Sequence, residues 1–205
     1  MVGCSNSHPH CQIWASTFLP HHVSLEDAHQ RAYHALHRTP LLVHYLAREL
    51  TAQARVVEEG ACWVALVPYW AKWPYELLVL PKRHVTKLRD VTAEEVEDLA
   101  RTMKRYLTRY DNLFQCSFPY SMGWHEAPNS TVEDSAAEDS AVEDNAHWQL
   151  HAHYFPPLLR SATVKKHIAG YEMFAQCQRD LTPEDAAQRL RDADPVKHYT
   201  SDISS

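Results

Sequence analysis

At 205 residues and 45% hydrophobic side chains, the chain is long enough to bury one sizeable core and too apolar to be intrinsically disordered. Its 20 Lys and Arg against 26 Asp and Glu leave a formal net charge of −6 without a clustered basic field, which argues against nucleic acid as a partner. No run of about 18 apolar residues occurs and no basic segment precedes an apolar one at the start, so a cytoplasmic protein without membrane contact is expected.

The chain opens on Met1-Val2-Gly3-Cys4-Ser5-Asn6 and runs straight into a histidine motif, which reads as a start lacking its supporting elements. Ser24, with Glu26 and Asp27 in the following turn, predicts a capped helix, and Thr39-Pro40 predicts a second one, the two filling residues 25 to 53. The apolar runs Cys62 to Val67 and Glu76 to Leu80 are bounded by proline and too short for helices, so they predict buried strands. Thr92 to Glu95 is a capping box, and Val96, Leu99, Met103, Tyr106, Leu107 and Tyr110 follow it at helical spacing. From His147 to Phe155 the odd-numbered residues His147, Gln149, His151, His153 and Phe155 fall on one side of a predicted strand. Thr182-Pro183-Glu184-Asp185 opens a last helix that ends before Pro195. The expected class is therefore α+β, helices packed on a mixed or antiparallel sheet.

Residues 132 to 146 are three tandem copies of a five-residue acidic unit, whose six carboxylates equal the whole net charge of the chain. Residues 130 to 146 are expected to form a solvated low-complexity loop, with an acidic docking loop as the alternative. The five cysteines, Cys4, Cys11, Cys62, Cys116 and Cys177, are odd in number and irregularly spaced, which suits reduced thiols.

With 15 histidines, metal or phosphoryl chemistry has to be considered. In Ser5-Asn6-Ser7-His8-Pro9-His10-Cys11-Gln12, small uncharged polar groups surround a His-x-His pair. A neutral imidazole is a good nucleophile toward phosphorus, provided one ring nitrogen is held protonated so that the other lone pair stays free. A second constellation joins His125 to His151 and His153. Residues two apart on a strand share a face at roughly 7 Å, so the last two can converge on one ion. His125 and a carboxylate such as Glu26 could complete three nitrogens and an oxygen, suited to zinc or iron. The other reading is of partly buried histidines bonded to backbone carbonyls.

The runs Gly3 to His10, Tyr110 to Phe114, Phe118 to His125, His147 to Tyr154, Leu158 to Lys166 and Gly170 to Glu172 together resemble the galactose-1-phosphate uridylyltransferase family, over residues 3 to about 195. The resemblance implies a fold of two related histidine-triad-like halves. Residues 1–24 would be the end of the first, residues 25–195 the second, and 196–205 a tail. It implies that His10 is the nucleophile, that Ser5 and Gln12 hold the phosphoryl oxygens, and that Asn6 is a further substrate-binding residue. His8 would be a zinc ligand whose partners belong to the first half. Glu26, His125, His151 and His153 would form a second, structural site for zinc or iron. Lys166, Tyr171, Glu172 and Gln178 match a segment that grips the hexose phosphate across a homodimer.

The implied reaction is a double displacement among UDP-glucose, UDP-galactose, glucose 1-phosphate and galactose 1-phosphate. The chain departs from the family pattern at Ser7, Cys11, Glu126, His167 and Ala169, the last two bearing on the sugar-phosphate contacts. Without the first half, the chain is expected to lack most of the uridine pocket and to be inactive alone. A non-catalytic metal-stabilised relative and a histidine-triad nucleotide hydrolase are the alternatives.

Overall fold

The structure, a computed structural model, describes residues 18–128, 145–156 and 181–202. The readings placed on Ser5, Asn6, His8, His10 and Gln12, on most of the acidic repeat, and on Lys166, His167, Ala169, Tyr171, Glu172 and Gln178 lie outside the described residues. Two helices, α1 (His21–His37) and α2 (Leu41–Ala52), lead into strands β1 (Val56–Glu59), β2 (Trp63–Leu66) and β3 (Leu77–Pro81). Helix α3 (Ala93–Phe114), strands β4 (Ser121–His125) and β5 (His151–Phe155), and helix α4 (Pro183–Asp192) follow. The strands form one sheet in the order β1-β2-β3-β5-β4, and every pairing is antiparallel. The α+β expectation holds. Among the described residues no helix is long and apolar enough to cross a membrane.

Strands β2 and β3 are buried on both faces because alternate side chains feed two separate cores. Trp63, Ala65, Leu77 and Val79 pack with Tyr106 and Tyr110 of α3 and Ala187 and Leu190 of α4. Val64, Leu66, Leu78 and Leu80 face the other way, against Leu42 and Leu46 of α2. That continuous apolar character is what a strand covered on both sides requires.

Several boundaries differ from the sequence expectation. Helix α1 begins at His21 after Pro20, so Ser24 lies inside its first turns rather than capping it. Pro40 rather than Thr39 occupies the N-cap of α2, and no side chain caps either helix. Helix α3 has the expected capping box, Thr92 accepting from Glu95 N and Glu95 accepting from Thr92 N. Val96, however, is 54% exposed. The inward positions of those first turns are Glu95 and Asp98, whose carboxylates are taken up by Arg83 and by the backbone amides of residues 61 to 63. The strand expected from His147 is ordered as β only from His151. Before it, the Gln149 amide group stands in for ladder partners, donating to Pro81 O and Arg83 O and accepting from Val85 N. The C-terminal helix has its expected Thr182 cap and Pro183 start.

The β1–β2 turn shows how tightly α3 meets the sheet. A Cβ on Gly60 would stand 2.4 Å from Thr102 Oγ1 and 2.6 Å from Asp98 Oδ2, and Asp98 cannot retreat without releasing the amides of Ala61, Cys62 and Trp63. Gly60→Ala should therefore destabilise the fold by about 1–3 kcal/mol, the usual cost of overpacking. A urea melt checks this, and an unchanged midpoint would show that α3 can shift freely. Arg109 closes the opposite end, donating to Leu190 O, Arg191 O and Ala193 O while its other nitrogens bind Glu58. Those carbonyls end helix α4, and a guanidinium supplies the donors they lack.

Candidate metal centre

The pairing of β4 with β5 builds the site. His125 sits directly opposite His151, and Gly123 opposite His153, so the three imidazoles occupy adjacent positions on one face of the sheet. Their ring centroids are 5.0–5.1 Å apart. Glu26 reaches this face from helix α1. His125 Nδ1 donates to Glu26 Oε2 at 2.8 Å, while Nε2 of His151 and Nε2 of His153 lie 3.7 and 3.9 Å from the same carboxylate. One potential ligand atom from each of the four residues falls within 4.8 Å of the others. The sequence offered His125 and Glu26 as candidates to complete the His151 and His153 pair, and the four lie side by side in the fold.

The surroundings decide which nitrogens are available. His151 Nδ1 donates to the carbonyl of Gln149 at 2.8 Å, which places the proton on the outer nitrogen and leaves Nε2 free as a donor of electrons. Burial, reinforced by repulsion from the neighbouring imidazoles, pushes His153 down to about 3. Burial likewise takes His151 down to about 4. Both rings are therefore neutral at physiological pH, as ligation requires. Burial opposes ionisation of Glu26, but the hydrogen bond from His125 and the three nearby imidazoles outweigh it, and its carboxyl falls below the usual range.

Among the described residues His153 Nδ1 is buried without a hydrogen-bond partner, which leaves Nε2, the nitrogen turned toward Glu26, to supply polar stabilisation of that ring. Three imidazoles and a carboxylate are a donor set that fits zinc or ferrous iron. The alternative of histidines satisfied by backbone carbonyls describes only the outer nitrogen of His151. An open cleft of about 760 Å³, walled by Trp70, Trp73 and Phe155 as well as by the four residues, gives an ion a route from solvent.

Sequence reasoning missed a neighbouring contact. His147 Nε2 donates to Asp27 Oδ1 at 2.7 Å, and Arg31 donates to Asp27 Oδ2 at 2.7 Å. The signal was present: Asp27 follows Glu26, and His147 shares its strand-face parity with His151 and His153.

A family model described as galactose-1-phosphate uridyl transferase, C-terminal domain, matches residues 26–203. The chain is 55% identical over 199 residues to galactose-1-phosphate uridylyltransferase of Rattus norvegicus, covering 97% of this chain and 50% of that protein. It is 54% identical over 198 residues to galactose-1-phosphate uridylyltransferase of Haemophilus influenzae, covering 97% and 53%. A solved structure of uridylyltransferase superposes with a TM-score of 0.76 at 31% identity, over 93% of this chain and 56% of that one. The chain thus spans about half the length of the curated relatives it matches.

Proposed function

We propose, for a chain that belongs to the galactose-1-phosphate uridylyltransferase family, that it serves uridylyl transfer between hexose 1-phosphates, with His10 as nucleophile and the Glu26 cluster as a structural metal site. The observation that carries this reading is the convergence of Glu26, His125, His151 and His153. The resemblance assigns these four residues to one site, and they meet within 4.8 Å although 127 positions separate the first from the last in the numbering from 26 to 153. An ion bound there would cross-link helix α1 to strands β4 and β5 and supply folding energy rather than reaction chemistry.

In the proposed reaction, a neutral His10 nitrogen attacks the α-phosphorus of UDP-glucose. The phosphorus–oxygen bond to glucose 1-phosphate breaks, and that product leaves with the bonding pair. The phosphate oxygen of galactose 1-phosphate then attacks the same phosphorus, the nitrogen–phosphorus bond breaks, and UDP-galactose departs from a regenerated imidazole. Ser5 and Gln12 hold the phosphoryl oxygens as uncharged donors, with Asn6 beside them in the substrate-binding motif. Lys166, Tyr171, Glu172 and Gln178 grip the hexose phosphate within a cytoplasmic homodimer. The hydrolase reading is disfavoured because residues matching a sugar-phosphate grip would have no task if water were the acceptor.

The reading is tested by incubating the protein, completed with the part of a family relative that it does not span, with UDP-glucose alone. A two-stage transfer should release glucose 1-phosphate without an acceptor and leave a uridylyl adduct that peptide mass spectrometry maps to His10. Absence of the adduct, or its location on His8, would overturn the assignment.

A further inference from the structure

Helix α1 carries the site's carboxylate, yet little apolar packing holds it in place. Among the described residues its one buried residue is Gln30, whose Oε1 has no partner there, while Leu25 and Leu36 are exposed. Pro20 at its N-cap contributes no side-chain bond. Helices of this length are held in proteins mainly by the burial of an apolar face, and among the described residues this one buries no such face. Something polar must fix its position.

We propose that Asp27 and His147 form a second attachment, independent of the ion, that docks helix α1 on the sheet and so positions Glu26 over the three histidines. The proposal rests on reading that cluster as a metal site. His147 is 3% exposed and stands edge-on to the fully buried Trp148, whose own ring lies 5.9 Å from that of His151. The imidazole is therefore a rigid post, and its Nε2–H meets Asp27 Oδ1 at 2.7 Å. Arg31, one turn along the same helix, takes the other oxygen and fixes the carboxylate rotamer. Consecutive residues on a helix diverge by about 100°, so Glu26 and Asp27 reach separate anchor points, one on β4 and β5 and one just ahead of β5. Tyr33 bonds His44 of α2 farther along the helix, but with a single attachment to the sheet, through Glu26, the half that carries the ligand would be free to pivot. Two fix its rotation and its height, and the ligand is in place before an ion arrives. Asp27 and His147 are positioning residues, since neither contributes a ligand to the cluster.

The test uses the purified chain, with zinc as the probe. Asp27→Ala and His147→Ala should each weaken zinc binding about 10- to 100-fold in a chelator competition, the range typical of residues that orient ligands. In the ion-free chain they should also speed amide exchange across residues 21 to 37 about 10-fold, leaving β2 and β3 protected. The double variant should be no worse than either single one, because both remove the same contact. His147→Gln, which keeps a donor, should recover part of the affinity. Should a His147 variant fold poorly, Arg31→Ala removes only an exposed brace and should give a smaller loss of the same kind. Unchanged zinc affinity and exchange in variants of a zinc-binding parent would overturn the proposal while leaving the metal reading intact. A parent that binds no zinc or iron would overturn both.

Discussion

Stripping the ion from Glu26, His125, His151 and His153 should lower the melting temperature by about 8–16 °C. An ion present at about 1,000 times its dissociation constant stabilises the folded state by about 4 kcal/mol, and in a chain of this size each kcal/mol moves the midpoint by about 2–4 °C. The ion-free chain should lose further stability in acid. Ion-free His151 and His153 titrate at about 4 and about 3, below the ordinary 6.5, so the folded chain keeps them neutral while the unfolded chain binds protons. Their contribution to stability is complete above pH 6.5 and is lost as the pH falls toward 4 and then 3. Each proton taken up only by the unfolded chain costs up to about 1.4 kcal/mol per pH unit in that window. Glu26, also depressed, adds a loss below 4.5 in the same direction. Protons compete with the ion for the same nitrogens once the folded rings begin to titrate, so metal affinity should fall as the pH approaches 4. Calorimetry with and without chelator between pH 8 and 4 measures both effects. Protein purified without metal, whose melting ignores chelator, would refute the site.

How much of this was legible in the sequence depends on the distance between partners. The capping box at Thr92 and the caps of α4 were readable because each is made within four residues. Strand β1 was not. Its Glu58 and Glu59 look solvated in sequence, but Glu58 is buried because Arg105 and Arg109, 47 and 51 residues later, neutralise it. Glu95 and Asp98 hid the rotation of α3 for the same reason, since their partners lie on other elements. Strand β4 was equally obscure, with Gly123 breaking its pattern, and only its register against β5 reveals that His125 faces His151. The His151/His153 pair was visible from strand spacing alone, His125 and Glu26 stood beside it as candidates, and the family resemblance joined the four in one site. The Asp27–His147 contact spans 120 residues and rests on no motif, so the parity of His147 with His151 and His153 placed it on that face without naming its partner.

The largest effect on activity is expected at His10. His10→Asn should lower uridylyl exchange by at least about 10⁴-fold, the scale lost when a covalent nucleophile is removed and the remaining site can only bind. Asparagine keeps polarity and similar bulk, but its amide nitrogen has no free lone pair with which to form a bond to phosphorus. Gln12 offers a contrast within the same motif. Gln12→Arg leaves the nucleophile in place, yet a fixed cation against the phosphoryl oxygens would stabilise the uridylyl intermediate and slow its transfer, so adduct should still form and turnover should fall. Both variants are to be assayed in protein completed with the remaining half of the family length, following glucose 1-phosphate release and adduct formation separately. His10→Asn should show neither, and its metal content and melting temperature should match the parent because the Glu26 cluster contains no residue of that motif. Exchange that persists in His10→Asn would assign the nucleophile elsewhere. Loss of metal or of stability alongside activity would instead show that residue 10 supports the fold, and the chemical role assigned to it would fall.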